Sequence, residues 1–159
     1  MLRKKNFAIS DESLRTGLKT VIHKGRLEKI NNKPLMIFDG AHNKPAIENL
    51  IESINMYYNN RNKVYVVSIL KTKDYKIILE LLLKDINSTF IFTSGNDEKI
   101  YISKDELYNE AMKYENTNLY ANDLDNAIDF VEEKFKNSVI FFVGSFYVYR
   151  NVIQKIRND

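Results

Sequence analysis

Five short, mostly apolar runs punctuate this chain: Leu35-Met36-Ile37-Phe38-Asp39, Val64 to Leu70, Thr89 to Thr93, Asn118 to Ala121 and Val139 to Val143. Each is followed by a stretch whose apolar residues recur at helical spacing. A continuous apolar run without polar alternation reads as a strand buried on both faces. The stretches between them, Lys44 to Tyr58, Asp74 to Lys84, Ser103 to Tyr114, Asp123 to Phe135 and Ser145 to Ile156, read as helices; in the first, Ile47, Leu50, Ile51 and Ile54 share one face. Strands alternating with helices of about 10–15 residues force βαβ crossovers, hence a mainly parallel sheet with helices on both faces.

The expected fold is therefore α/β, a three-layer Rossmann-like domain. At 159 residues the chain has the size of one domain and buries about two thirds of its unfolded surface. An earlier helix of about two turns is expected over Ser10 to Leu18, where Ser10 stands as a cap before Asp11 and Glu12. The net charge of +3, from 24 basic and 21 acidic residues, is small, and the lysines are scattered, so nucleic acid is not an expected partner. No cysteine is present, which removes disulfides, thiolate metal sites and a cysteine nucleophile. The basic start, Met1 to Asn6, leads into no signal-peptide core, and no run approaches a membrane span. A cytoplasmic protein without membrane association is the expectation.

In a parallel sheet, ligands gather beyond the carboxyl ends of the strands, here the loops after Phe38, Leu70, Thr93, Ala121 and Val143. The first loop, Asp39-Gly40-Ala41-His42-Asn43-Lys44-Pro45, packs an acid, an imidazole and an amide into five residues. Asp39 is placed to accept from ribose hydroxyls or, equally, to cap the helix that follows. His42 stands where helix N-terminal N–H groups favour an anion, but a histidine at such a place is more often a capping or solvated residue. In His23-Lys24-Gly25-Arg26-Leu27-Glu28 the Arg26 fork suits phosphate or carboxylate, with an Arg26–Glu28 surface pair as the plain alternative. Lys71 and Lys73 border the loop after Leu70, either meeting an anion or solvating a helix start that Asp74 supports. Gly144-Ser145-Phe146-Tyr147 forms a turn able to hold a carboxylate, or one in which Ser145 simply caps a helix.

Taken in order, Gly25-Arg26-Leu27-Glu28, Asp39-Gly40-Ala41-His42-Asn43, Leu70-Lys71-Thr72-Lys73-Asp74 and Gly144-Ser145-Phe146-Tyr147 resemble the C-terminal domain of bifunctional folylpolyglutamate synthase/dihydrofolate synthase, a family grouped with the Mur ligases. The resemblance runs from about Ile9 to the C-terminus. It implies a Mur ligase-type C-terminal domain over residues 25–159, preceded in residues 1–24 by the end of a central ATPase domain and a linker. It further implies a ligase in which ATP phosphorylates a carboxylate of the pteroate or folate substrate and glutamate's amine attacks the acyl phosphate. By position, Arg26 would reach the ATP phosphates, Asp39 the ribose, and His42 with Ser145 the incoming glutamate or the acyl phosphate; Asn43 and Lys73 would line the same cleft. Mg2+ ligands are implied on the central domain, so none is assigned here.

Departures from the family pattern accompany the match. His23-Lys24 stands where the family usually has Trp-Pro, and Lys44 follows Asn43 where it has proline, which moves the proline to Pro45, a position still suited to a first helical turn. After Thr93 the family commonly carries Pro-Arg-Ala; this chain reads Asn96-Asp97-Glu98-Lys99-Ile100-Tyr101, so that arginine's contact is lost or falls to Lys99. No Gly-x-x-x-x-Gly-Lys-Ser/Thr loop occurs in the chain. The expectation is half of an amide ligase site, inactive without its P-loop partner. The alternatives are a free-standing nucleotide- or glutamate-binding module without catalysis, and another Mur-type amino-acid ligase.

Overall fold

A computed structural model of the chain describes residues 9–21, 23–95, 97, 99–116 and 118–158. The basic start, Ile22, and Asn96 and Glu98 of the variant loop lie outside the described residues, as does that part of the proposed boundary region. Ser10 caps helix α1 (Asp11–Thr20), its Oγ accepting the Ser13 N–H at 3.0 Å. No residue of α1 is buried, and Leu14, Leu18 and Val21 are exposed.

The body then runs β1 (Glu28–Asn32), β2 (Leu35–Asp39), α2 (Lys44–Tyr58), β3 (Lys63–Val67), α3 (Tyr75–Leu82), β4 (Thr89–Phe92), α4 (Lys104–Ala111), β5 (Leu119–Ala121), α5 (Leu124–Lys134), β6 (Val139–Val143) and α6 (Tyr149–Asn158). The six strands form one sheet in the order β1-β2-β6-β3-β4-β5. From β2 to β5 every neighbouring pair is parallel, and only β1 runs antiparallel, against β2.

Side-chain alternation along the strands divides the core in two. Ile37, Tyr65, Val67, Phe90, Phe92 and Phe141 point to the layer containing Ile47, Leu50 and Ile54 of α2, Ile78 and Leu79 of α3, and Leu107 of α4. Met36, Phe38, Val64, Val66, Ile140 and Phe142 point to the other layer, with Leu124, Ile128 and Val131 of α5 and Val152 of α6. Central β6 is buried along its whole length, as a strand covered by helices on both faces must be. Each fully buried Phe or Ile there contributes about 1.5–3 kcal/mol of transfer free energy, so the sheet centre is the least deformable part of the molecule.

The three-layer α/β expectation holds, with differences at element ends. Strand β1 was not anticipated: its Glu28-Lys29-Ile30-Asn31-Asn32 sequence is mostly polar, because an antiparallel edge strand buries little. Strand β3 stops at Val67 rather than Leu70, since the segment beyond it turns to pair with another loop, Leu70 bridging Tyr101. The helix expected from Ser145 starts as a 3₁₀ turn over Phe146–Val148 and becomes α-helical only at Tyr149. Asn43, Asp74 and Ser103 lie just outside their helices as caps, each accepting a backbone N–H from within the first turn.

Candidate functional site

All parallel strands end at the same edge of the sheet, and the positive-φ residues among those described are found there. Gly25 (φ 66°), Leu27 (φ 41°) and Gly144 (φ 101°) are left-handed. For Gly144 no other residue fits: a Cβ would overlap the backbone oxygen of Ser68, where the ends of β6 and β3 approach each other. A Cβ on Gly25 would likewise overlap the Phe146 ring.

The Gly25–Glu28 turn is held against the end of β2 by backbone capture. The Gly40 N–H donates to the Gly25 carbonyl at 2.9 Å. Asp39, 8% exposed, accepts the Leu27 N–H on Oδ2 and the Ala41 N–H on Oδ1, both at 2.8 Å. Leu27, a branched residue in a left-handed conformation that costs about 1–2 kcal/mol, is kept there by the first of these bonds. Between these two residues Arg26 projects with its side chain half exposed, its guanidinium 3.9 Å from Asp39 Oδ1. The expected Arg26–Glu28 pairing is replaced: Glu28 Oε2 accepts the Gly25 N–H at 2.6 Å, and its two oxygens accept the Tyr149 hydroxyl at 3.0 and 2.9 Å. Arg26, Leu27 and Asp39 border a cavity of about 220 Å³ whose other wall is α2, through Ala46, Asn49 and Ser53.

His42 Nδ1 lies 2.8 Å from the Gly40 carbonyl. A carbonyl only accepts, so Nδ1 carries a proton and the neutral ring keeps its free lone pair on Nε2. Asn43 is exposed, and its Oδ1 accepts the Ala46 N–H at 3.1 Å, so its amide acts first as the cap of α2. On the neighbouring strand, Val143 lies in register with Asp39. Ser145, two residues on and 1% exposed, accepts the Tyr147 N–H at 3.2 Å. Burial pushes the Tyr101 hydroxyl pKa upward, and Ser145 opposes that shift.

Arg26, Asp39, His42, Asn43 and Ser145 thus collect at the ends of adjacent strands β2 and β6. Lys73 lies in the loop after β3, on the other side of β6 from the end of β2. Its backbone N–H donates to the Leu70 carbonyl. Among the described residues, no three His, Asp or Glu side chains are gathered as metal ligands, and no helix is long and apolar enough to cross a membrane.

Sequence reasoning missed Tyr149 as a partner of Glu28, a contact across 121 residues with no local signal. It also missed Tyr101 beneath Gly95, and Asn49 facing Asp39 across the cavity. Asn49 was findable, since one helical turn and a half separates it from the cap Asn43 and places it near the same strand end.

Comparison with known proteins identifies the family. Residues 25–146 match the family described as Mur ligase, glutamate ligase domain. The chain is 33% identical over 158 residues to the dihydrofolate synthase/folylpolyglutamate synthase of Bacillus subtilis, covering 98% of this chain and 36% of that protein. It is 27% identical to a probable dihydrofolate synthetase of Schizosaccharomyces pombe, over 97% of this chain and 39% of that protein. Among solved structures, E. coli FolC in complex with ADP superposes with a TM-score of 0.83 at 22% identity, over 99% of this chain and 37% of that one. Mycobacterium tuberculosis folylpolyglutamate synthase complexed with ADP and AMPPCP superposes with a TM-score of 0.78 at 21% identity, over 97% and 36%. The chain therefore spans little more than a third of the length of these relatives. With the matched segment covering most of its length, the chain belongs to the Mur ligase family, as a glutamate ligase domain.

Proposed function

We propose that this chain is the C-terminal domain of an ATP-dependent ligase that joins glutamate to folate or dihydropteroate, and that it contributes ATP and glutamate contacts but turns over only with a central P-loop domain. The carrying observation is the placing of Arg26 beside Asp39, on a turn whose backbone is held by bonds to Glu28, Asp39 and Gly40, at the wall of a 220 Å³ cavity. Similarity to proteins named as dihydrofolate and folylpolyglutamate synthases supports the choice of substrate.

In this reading the substrate carboxylate takes the γ-phosphoryl group of ATP, giving an acyl phosphate and ADP. Glutamate's ammonium first gives up a proton; the free amine then attacks the acyl carbon, phosphate leaves, and the nitrogen gives up a second proton. Arg26 meets the phosphates, where charge builds up as the phosphoryl group transfers. Asp39 uses lone pairs left over from its two N–H bonds to hold ribose hydroxyls. His42, with its proton on Nδ1, presents Nε2 to accept the proton from glutamate's ammonium or, when protonated, to hold the acyl phosphate. Asn43 and Lys73 line the cleft. Ser145 holds the Phe146–Val148 turn, and its hydroxyl is assigned in this reading to the incoming glutamate. A divalent metal would neutralise the triphosphate. Its ligands are assigned in this reading to the central domain, and no step here passes through it.

The test is to join the chain to the P-loop domain of the Bacillus subtilis relative and assay ATP- and glutamate-dependent amide formation on dihydropteroate and tetrahydrofolate. Arg26→Ala is expected to lower turnover about a hundredfold, as loss of one transition-state charge donor does. Near wild-type turnover at saturating ATP would remove Arg26 from the phosphates. Activity only on nucleotide-linked muramyl peptides would redirect the proposal to another ligase of the superfamily.

A further inference from the structure

The turn that carries Arg26 is fastened not only to β2 but also to the last helix of the chain. Glu28, the first residue of β1, is in register with Phe38. Its carboxylate collects the Gly25 N–H at 2.6 Å and the Tyr149 hydroxyl at 2.9–3.0 Å. Tyr149 opens α6, and its ring stands edge-on to Phe38, centroids 5.0 Å apart, and stacks on Phe146, 5.3 Å apart with the planes 6° from parallel. Phe146 in turn fills the space that a side chain on Gly25 would need. Burial, followed by the neighbouring carboxylate, pushes the Tyr149 pKa upward, so its hydroxyl remains a donor.

We infer that Glu28 and Tyr149 are positioning residues which clamp the backbone of Gly25 to Leu27 to α6 and so fix the direction in which Arg26 leaves the turn. The geometry leaves Arg26 little else. Its own side-chain contact with Asp39 is long, at 3.9 Å, and half exposed, too weak to hold a flexible guanidinium. The residues on either side of it are left-handed and need external bonds to stay so. Glu28 supplies the bond on the Gly25 side and Asp39 the one on the Leu27 side, so the arginine stands between two carboxylates whose close bonds go to backbone N–H groups. Because Glu28 is anchored to Tyr149, any shift of the Phe146–Val148 turn is transmitted to Arg26, coupling the two halves of the candidate site.

The inference rests on the reading of Arg26 as a phosphate ligand only for its functional consequence, and the test separates the two. In this chain, amide hydrogen exchange at Gly25 and 15N relaxation of Arg26 Nε–H are compared for wild type, Tyr149→Phe, Glu28→Gln and Glu28→Ala, together with ADP titration and the unfolding midpoint. Tyr149→Phe keeps both ring contacts, so its fold is retained. It is expected to speed Gly25 exchange about tenfold and to raise Arg26 Nε mobility, as loss of one charge-assisted hydrogen bond does. Glu28→Gln, which keeps an acceptor, is expected to fall between wild type and Glu28→Ala. Gly25 exchange and Arg26 relaxation unchanged in Tyr149→Phe and Glu28→Gln would overturn the clamp. A loosened turn with unchanged ADP affinity would uphold the clamp and reject the phosphate role of Arg26.

Discussion

The two edges of the sheet solve the problem of unpaired polar groups in opposite ways. At the amino-end edge, a cavity of about 480 Å³ lies among Asn59, Arg61, Lys63, Tyr65, Lys84 and Asp85. Its acid is paired with side chains: Asp85 Oδ2 lies 3.2 Å from Lys63 Nζ and accepts the Tyr65 hydroxyl at 3.2 Å. At the carboxyl-end edge the cavity beside Arg26 is less than half as large, and a second, of about 360 Å³, lies by Lys71, Ser94 and Tyr101. Yet four of the five glycines stand at this edge, and Asp39, Glu28, Asn43 and Ser145 all bind backbone N–H groups. An edge whose side chains pair with each other is closed electrostatically. One whose carboxylates are spent on backbone leaves the Arg26 guanidinium and His42 Nε2 for something else. Size of cavity is therefore a poorer guide here than the destination of each hydrogen bond.

The comparison predicts unequal responses to substitution. The largest is expected for Gly144→Ala, which combines a forbidden φ with overlap on the Ser68 carbonyl: a loss of roughly 2–4 kcal/mol in urea unfolding. A loss below about 1 kcal/mol would mean that the carboxyl edge yields, and that its turns are not the rigid frame described above. A smaller effect is expected at the amino edge, where Tyr65→Phe removes one hydrogen bond, about 1 kcal/mol at neutral pH.

Tyr65 also gives that edge a pH signature. Burial, and then the Asp85 charge, raise its pKa above the ordinary value of 10.0. Above that value the unfolded chain loses the proton while the folded chain keeps it, so the contribution to stability is complete below about pH 10 and declines as pH rises further. Tyr65→Phe should therefore flatten the alkaline fall in unfolding free energy. An unchanged slope between wild type and variant would place the titrating groups elsewhere.

What the sequence disclosed followed from periodicity. Continuous runs such as Val139 to Val143 read as central strands, and Asp74 and Ser103 marked helix starts that they prove to cap. The candidate loops were legible for the same reason, since they follow those strands. Their internal wiring was not. Asp39 looked equally fit for ribose or for capping α2, and in the fold both its oxygens serve the N–H groups of Leu27 and Ala41, the first of which is 12 residues away. Glu28 was noticed only as a neighbour of Arg26, and the register of β1 against β2 turns it toward Tyr149 instead. Strand β1 stayed hidden because nothing apolar marks an edge strand whose partner supplies the order. Tertiary contacts between distant segments decide which of several plausible local bonds a polar side chain makes, and one sequence does not encode them locally.

The measurement that bears most directly on the carboxyl edge as the ligand edge is an amide NMR titration of this chain with Mg-ATP and then glutamate. The account predicts shifts first at Gly25 to Leu27 and Asp39 to Asn43, and on adding glutamate at His42 and Gly144 to Tyr147, with Asn59 to Lys63 and Asp85 to Ser88 unmoved. Shifts confined to Asn59 to Lys63 and Asp85 to Ser88 would contradict it, placing binding in the larger cavity at the opposite edge.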